Sequence, residues 1–202
     1  MKLYDGGRVP NARRVRMYLA EKGIEVPMVP VDLGNKEHLT PAFLKKNPAG
    51  SVPVLELEDG TIITESLAIC RYFEALHPEP PLFGTTPLEQ ALVVMWNRKA
   101  EFELFQPVAY TFRHLNPAMA DYEDQVPEWG EASRARALGG MATLNARLLH
   151  SAYIAGDHFS VSDIVAFTTV EFMKVAKLSV PDAMTALIAW HARIAARPSA
   201  KV

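Results

Sequence analysis

Ser51-Val52-Pro53-Val54-Leu55-Glu56-Leu57, Glu58-Asp59-Gly60, Thr61-Ile62-Ile63 and Glu65-Ser66-Leu67-Ala68-Ile69-Cys70-Arg71-Tyr72-Phe73 read in turn as strand, turn, strand and helix. Asp-Gly between two apolar runs is a strong hairpin signal. The X-Pro bond at Val52-Pro53, if cis, stops the first strand and leaves backbone groups facing outward. Ser66 heads the apolar helical run, and a helix start offers free N–H groups and partial positive charge that suit a carboxylate. Glu65 beside it suits an ammonium. Together they fit a ligand end that carries both charges, as a free amino acid does.

Upstream, strand and helix signals alternate. Leu3-Tyr4 is a short strand. Pro10-Asn11 opens a helix with Ala12, Val15 and Leu19 inside and Gly23 as its stop. Val26 to Val31 is a second strand, and Thr40-Pro41 starts a short helix because Pro is well tolerated at the first helical position. With Glu65 to Leu76 as the closing helix, the order is βαβ-αββα over about 77 residues, which predicts an α/β unit with a small mixed sheet. His77-Pro78-Glu79-Pro80-Pro81 then holds three prolines in four residues and reads as a stiff linker.

Beyond the linker the pattern is helical. Leu88, Leu92, Met95, Lys99 and Phe102 lie near one stripe that Pro107 is expected to kink or end. Trp129 to His150 carries Leu138, Met141, Leu144 and Leu148, and Ala183, Leu187, Trp190 and Ile194 form a last stripe. Ile164 to Val175 is apolar nearly all round and is expected as a central buried helix. Ser160 and Asp163 before it have capping-box spacing, which points to a structural rather than a catalytic role for Asp163. The expected organisation is an α+β domain at 1–77, a Pro-rich linker at 78–87 and an all-α helical bundle at 88–202.

Composition narrows the function classes. The chain has 202 residues, 49% hydrophobic and 22% charged, ample for a buried core. A net charge of −2 gives no strong pull toward nucleic acid, and Arg13-Arg14-Val15-Arg16 and Arg134-Ala135-Arg136 read as solvated helix faces. The single cysteine, Cys70, excludes an intrachain disulfide framework and fits a reducing cytosol. The chain opens on strand-like Lys2-Leu3-Tyr4 with no apolar signal segment, and no apolar run reaches the roughly 18 residues of a membrane span. The expectation is a soluble cytoplasmic protein with neither nucleic acid nor membrane as partner.

Asn47-Pro48-Ala49-Gly50-Ser51-Val52-Pro53-Val54-Leu55, Glu65-Ser66-Leu67-Ala68-Ile69, and the capping box followed by Ile164 stand in an order and spacing that resemble the cytosolic glutathione transferases over the whole length. The resemblance implies a thioredoxin-like N-terminal domain, a helical C-terminal domain, a homodimer, glutathione as co-substrate and no metal. It implies that Val52 pairs its backbone with the cysteinyl part of glutathione and that Pro53 is the cis proline exposing that edge. It implies that Ser66 holds the γ-glutamyl carboxylate and that Glu65 sits near the ammonium. His38 matches a histidine that theta-like members place near the glycyl carboxylate; its other reading is an exposed loop histidine. Ser51 stands where related enzymes carry a lysine, which implies a weaker anchor at the glycyl end or one that depends on His38 and Lys36.

The activating position departs from the family pattern. A free thiol has a pKa of roughly 8.5, so little thiolate exists at neutral pH and a transferase must stabilise the anion. The loop before the first helix is Asp5-Gly6-Gly7-Arg8-Val9-Pro10-Asn11. Val9 falls at the serine position of theta-like enzymes and offers no donor. The loop has no cysteine, which argues against omega-like chemistry, and Tyr4 reads as a packed strand residue. Asn11 remains as the catalytic candidate, since its amide can donate to a thiolate beside the helix dipole. Pro10-Asn11 resembles half of the Thr–Asn pattern of the bacterial nu class. The alternative for Asn11 is a helix N-cap. Arg8 and Arg13 are lesser helpers, and Cys70 reads as a small buried hydrophobe. An apolar pocket between the domains, with Phe105, Tyr110, Phe112 and Arg113 as candidates by family position, is expected to take a small hydrophobic electrophile or a disulfide. Arg134 matches an arginine that reaches glutathione in the nu class. Three functions stay open: conjugation to an electrophile, glutathione-dependent reduction of a disulfide or peroxide, and a non-catalytic glutathione-binding module.

Overall fold

Strand β1, Lys2–Asp5, lies inside a four-stranded sheet. The computed structural model describes residues 1–202, which divide into two units: residues 1–81 with 198–202, and residues 82–197. In the first unit β1 is followed by α1 (Pro10–Lys22), β2 (Met28–Pro30), α2 (Pro41–Leu44), β3 (Val54–Glu56), β4 (Ile62–Ile63) and α3 (Ser66–Leu76). The sheet order is β2-β1-β3-β4. β2 is parallel to β1 with Tyr4 opposite Val29, β3 is antiparallel with Tyr4 opposite Val54, and β4 is antiparallel to β3 with Leu55 opposite Ile63. The expected βαβ-αββα order is the one present, with β1 a residue longer at each end and β2, β3 and β4 a residue or two shorter at one or both ends.

The directions of these strands place the site. β1 and β2 run one way and end at Asp5 and Pro30, while β3 begins opposite Tyr4 and β4 ends opposite the start of β3. The connections 6–9, 31–40, 51–53 and 64–65 therefore emerge at one edge of the sheet, which is also where α1 and α3 begin.

Local chemistry sets the element ends. α1 starts at Pro10 and ends at Gly23, whose φ of 63° places it in the left-handed region. The last turn of α1 then staples the unit. Lys22 Nζ pairs with Glu74 of α3 at 2.5 Å and donates to the carbonyls of His77, Pro78 and Pro80 at 2.8, 3.2 and 2.5 Å. Tyr18 donates to the same Glu74. This grip carries the first unit through Pro81, past the expected boundary at residue 77. Residues 198–202 also belong to it, because Arg13 donates to the Ala200 carbonyl at 2.7 Å and Ser199 bonds Glu21.

The second unit is helical: α4 (Pro87–Lys99), α5 (Gln106–Leu115), α6 (Pro127–Leu148), α7 (Val161–Phe172) and α8 (Thr185–Ala195). Pro107 does not end the first helix of this unit. Residues 100–105 form a π-helical stretch between α4 and α5, and the helix runs on through Pro107. The buried stripe here is Val93, Asn97, Ala100 and Leu104, whereas Leu88, Met95 and Phe102 of the expected stripe are exposed. α6 approaches the Leu104 end of this stripe so closely that a Cβ on Gly140 would lie 2.0 Å from the Glu103 carbonyl oxygen, and at the other end the Val93 carbonyl accepts from Ser162 Oγ of α7 at 2.9 Å. α7 is the expected buried helix, with ten consecutive residues from Val161 to Val170 buried. Asp163 is wholly buried and accepts from the N–H of Ile154 and Ser160, both at 3.0 Å, from the Ser160 hydroxyl at 3.1 Å and from Trp190 Nε1 at 2.9 Å. A carboxylate committed to four donors is a structural cap. No helix is long and apolar enough to cross a membrane.

Candidate functional site

The loop after β1 is built around Asp5. Its main-chain carbonyl accepts from Val31 N–H at 2.8 Å, its Oδ2 from Gly7 N–H at 3.0 Å, and its Oδ1 from Arg16 Nη1 at 2.5 Å. Gly7 has a φ of 67°, which a residue with a side chain takes only at a cost. Gly6 packs against Val52, Val9 and Leu33. Val9 and Leu33 also pack on a buried apolar cluster of Tyr4, Val31, Phe43, Val52 and Val54. Val9, which replaces the expected donor, is therefore a packing residue. Tyr4 is packed as well: its hydroxyl donates to Glu56 at 2.8 Å and its ring stands edge-on to Phe43.

Facing this loop is the edge at Val52-Pro53, a peptide bond that is cis. β3 begins only at Val54, and neither the N–H nor the carbonyl of Val52 has a hydrogen-bond partner within the chain. The turn before it is held by buried Asn47. Its Nδ2 donates to the Ser51 carbonyl at 2.8 Å and to Ser51 Oγ at 2.9 Å, and its Oδ1 accepts from Ala49 N–H at 3.2 Å. Ser51 is thus committed to the turn. Gly50, at a φ of 58°, lets the chain pass the His38 carbonyl, which would stand 3.3 Å from a Cβ there. His38 sits in a single 3-10 turn, Glu37–Leu39, and is half-buried with Nδ1 enclosed and without a partner. Burial, and then the charge of Lys36, lowers its pKa below the ordinary 6.5, so the ring is neutral at pH 7.

Glu65 and Ser66 stand at the start of α3. Glu65 has a φ of 65°, an uncommon conformation for a residue with a Cβ, and such outliers concentrate at ligand sites. Its carboxylate is exposed and makes no bond within the chain, while its carbonyl accepts from Ile69 N–H at 3.0 Å. Ser66 is only 5% exposed, and its hydroxyl has no partner within the chain. The first-turn N–H groups of α3 are free, as at any helix start.

Asn11 is not the N-cap of α1. Val9 takes that position in extended conformation because it precedes Pro10, and it makes no side-chain cap bond. Asn11 is the second helical residue. Its amide has no partner within the chain, and its Oδ1 is buried. Of the lesser helpers, Arg13 is turned to Ala200 and Arg8 is exposed.

In the helical unit Arg113 pairs with Glu123 at 3.0 Å, and Tyr110 lies against His114 and Trp129. Phe112 meets Phe172 edge to face. Arg134 bonds Glu131 at 3.0 Å and the Lys177 carbonyl at 3.3 Å, so its guanidinium is engaged within this unit rather than free. A cleft of about 240 Å³ is lined by Phe112, Leu115, Asn116, Arg134, Val175 and Lys177 among others. No three His, Cys, Asp or Glu side chains cluster as a metal would need. Asp5, Gly6 and Asn47 shape the loops at this end of the sheet. Their only sequence signals were the Gly-Gly pair and the Asn-Pro that opens the second loop.

Comparison with known proteins follows the same two-part division. Residues 10–76 match the glutathione S-transferase N-terminal domain model and residues 127–193 the C-terminal domain model. The chain is 43% identical over its full length to glutathione S-transferase 2 of Saccharomyces cerevisiae, covering 88% of that protein. The crystal structure of Gtt2 from Saccharomyces cerevisiae superposes with a TM-score of 0.93 at 43% identity, covering 100% of this chain and 99% of that one. A class Gtt2 glutathione S-transferase of Vibrio parahaemolyticus gives a TM-score of 0.87 at 37% identity, covering 98% of this chain and 95% of that one. With family matches in both units and 43% identity over the full length to a glutathione S-transferase, the chain belongs to the glutathione S-transferase family and is a transferase enzyme.

Proposed function

We propose that the first unit binds glutathione along the Val52 edge and the start of α3, and that Asn11 with the start of α1 stabilises its thiolate. The observation that carries this reading is the uncommitted amide of Asn11 in the first turn of α1, at the same sheet edge as the unpaired Val52 backbone. Val52 N–H and carbonyl pair with the cysteinyl residue as an added strand would, and Pro53 follows just before β3. Ser66, through its hydroxyl and the first-turn N–H groups, takes the γ-glutamyl carboxylate, and Glu65 takes the ammonium. His38 meets the glycyl carboxylate. The thiol proton leaves to solvent. The sulfur then attacks the electrophilic carbon, a C–S bond forms, and the leaving group departs with its electron pair.

The same reading makes glutathione a co-substrate with no metal in the reaction. The assembly is a homodimer, for which the exposed apolar face of Leu88, Val94, Met95 and Phe102 on and beside α4 offers a surface. A cytoplasmic setting accords with a single, buried cysteine. A second reading, a binding module without strong catalysis, is favoured by Val9, whose side chain packs inward and supplies no donor.

Ultraviolet titration of the bound thiolate tests the proposal. A bond to a charged group is worth about 1.5–3 kcal/mol. The bound thiol should therefore titrate about one unit or more below the free value of roughly 8.5 in the parent and rise by about one unit in Asn11→Ala. Tight binding with an unshifted thiol supports the binding module instead.

A further inference from the structure

The Asp5–Arg16 pair joins the activating loop to α1. Asp5 closes β1, and all three of its oxygens are used: the carbonyl holds Val31, one carboxylate oxygen holds Gly7 N–H, and the other holds Arg16 at 2.5 Å. Both side chains of the pair are largely buried, at 15% and 14% exposure for Arg16 and Asp5. Arg16 lies five residues beyond Asn11, so its anchor to β1 sets the rotation of α1 about its axis and hence the direction of the Asn11 amide. The Gly7 bond sets the path of the loop that leads into α1. The same loop places Gly6 against Val52. One carboxylate thus links the helix that presents Asn11 to the strand edge that faces the ligand.

We propose that Asp5 and Arg16 are positioning residues for thiol activation: their ion pair aims Asn11 at the sulfur of glutathione bound on the Val52 edge. This rests on the role of Asn11 argued above. The effect is orientational, because Arg16 is already neutralised by Asp5 and adds no net field.

The test uses Asp5→Asn, Arg16→Gln and Arg16→Lys in the full chain. Asp5→Asn keeps an acceptor for Gly7 while removing the ion pair. Three readouts are needed: thermal unfolding, the Kd of S-methylglutathione, which has no thiol to ionise, and the pKa of bound glutathione. Asp5→Asn and Arg16→Gln should raise the bound thiol pKa by about half a unit, a three-fold fall in the thiolate-to-thiol ratio at fixed pH. They should leave the Kd of S-methylglutathione within about two-fold, a difference of about 0.4 kcal/mol. Arg16→Lys should restore most of the shift. Variants that unfold, or that bind the thioether more weakly with the thiol pKa unmoved, overturn the inference and make the pair purely structural. Failure of the underlying reading looks different: there the parent itself shows no lowered thiol pKa, or Asn11→Ala leaves it where it was.

Discussion

Gly6 stands so close to Val52 that a methyl group on it would lie 2.4 Å from the valine Cγ2. That distance is far inside van der Waals contact. The loop that leads to Asn11 and the strand edge at Val52 are therefore seated on each other, and neither moves without the other.

Gly6→Ala should destabilise the chain by about 1–3 kcal/mol through overpacking. It should also weaken glutathione binding about tenfold, a loss of about 1.4 kcal/mol. Gly7→Ala is the control. It meets no neighbour, and its left-handed φ costs roughly 1–2 kcal/mol. Its melting temperature should fall while its glutathione Kd stays near that of the parent. Equal Kd values for both variants would show that the Gly6–Val52 contact does not govern binding.

Asn47→Asp replaces the two N–H bonds to Ser51 with a carboxylate facing the Ser51 carbonyl and hydroxyl. The loss should be about 1–3 kcal/mol of stability, since a part-buried carbonyl loses its donor and meets a carboxylate instead. Calorimetric titration with glutathione should show weaker binding, because Ser51 precedes the Val52 edge directly. Unchanged affinity at reduced stability would confine Asn47 to a folding role.

Two glutamates make the chain acid-sensitive. The Lys46 ammonium first, and the Tyr4 hydroxyl next, hold the Glu56 carboxyl down to about 2. The Thr85 hydroxyl, then the backbone N–H groups of Thr85 and Thr86, hold Glu89 down to about 2. Both folded values lie below the ordinary 4.5. Their stabilisation is therefore complete above the ordinary value and is lost as pH falls through the window down to about 2. Urea midpoints should drop on acidification from about pH 5 to about pH 2.5, and by less in Glu56→Gln and Glu89→Gln.

His38 gives a pH signature of its own in binding. Its lowered pKa keeps it neutral in the free protein above the ordinary range around 6.5. A ligand carboxylate would favour the charged ring and raise that pKa. Affinity for S-methylglutathione should accordingly increase as pH falls through about 6.5 and stay flat above it. His38→Ala should flatten the profile. A flat profile in the parent would leave His38 as an ordinary loop residue.

The binding half of the proposed site was legible because its parts are local. A proline after a valine, and a Glu-Ser pair ahead of an apolar helical run, each announce their backbone consequence within a few residues. The activating half was less legible. Val9 could be seen to lack a donor, but its seat in the cluster with Val52 joins residues far apart in sequence. Asn11 had two readings, and Pro10 removes the N-cap by placing Val9 in the cap position, which leaves activation as the proposed role. The apolar residues of α4 misled for a related reason. Leu88, Met95 and Phe102 form a stripe in sequence, yet Val93 against α7 and Leu104 against Gly140 of α6 are the residues turned inward.

From sequence alone came the two-domain order, the capped buried helix α7, the hairpin, and the residues around which the proposed glutathione site is organised. These follow from periodicity, turn chemistry and capping, which act over a few residues. Only the tertiary structure decided that Asp5 bridges a strand, a loop and a helix, that Asn47 and Gly6 support the Val52 edge, and that Lys22 and Arg13 carry the first unit through Pro81 and bring residues 198–202 back to it. Such contacts join residues that the chain separates widely, and whether they form depends on how close the packed elements come.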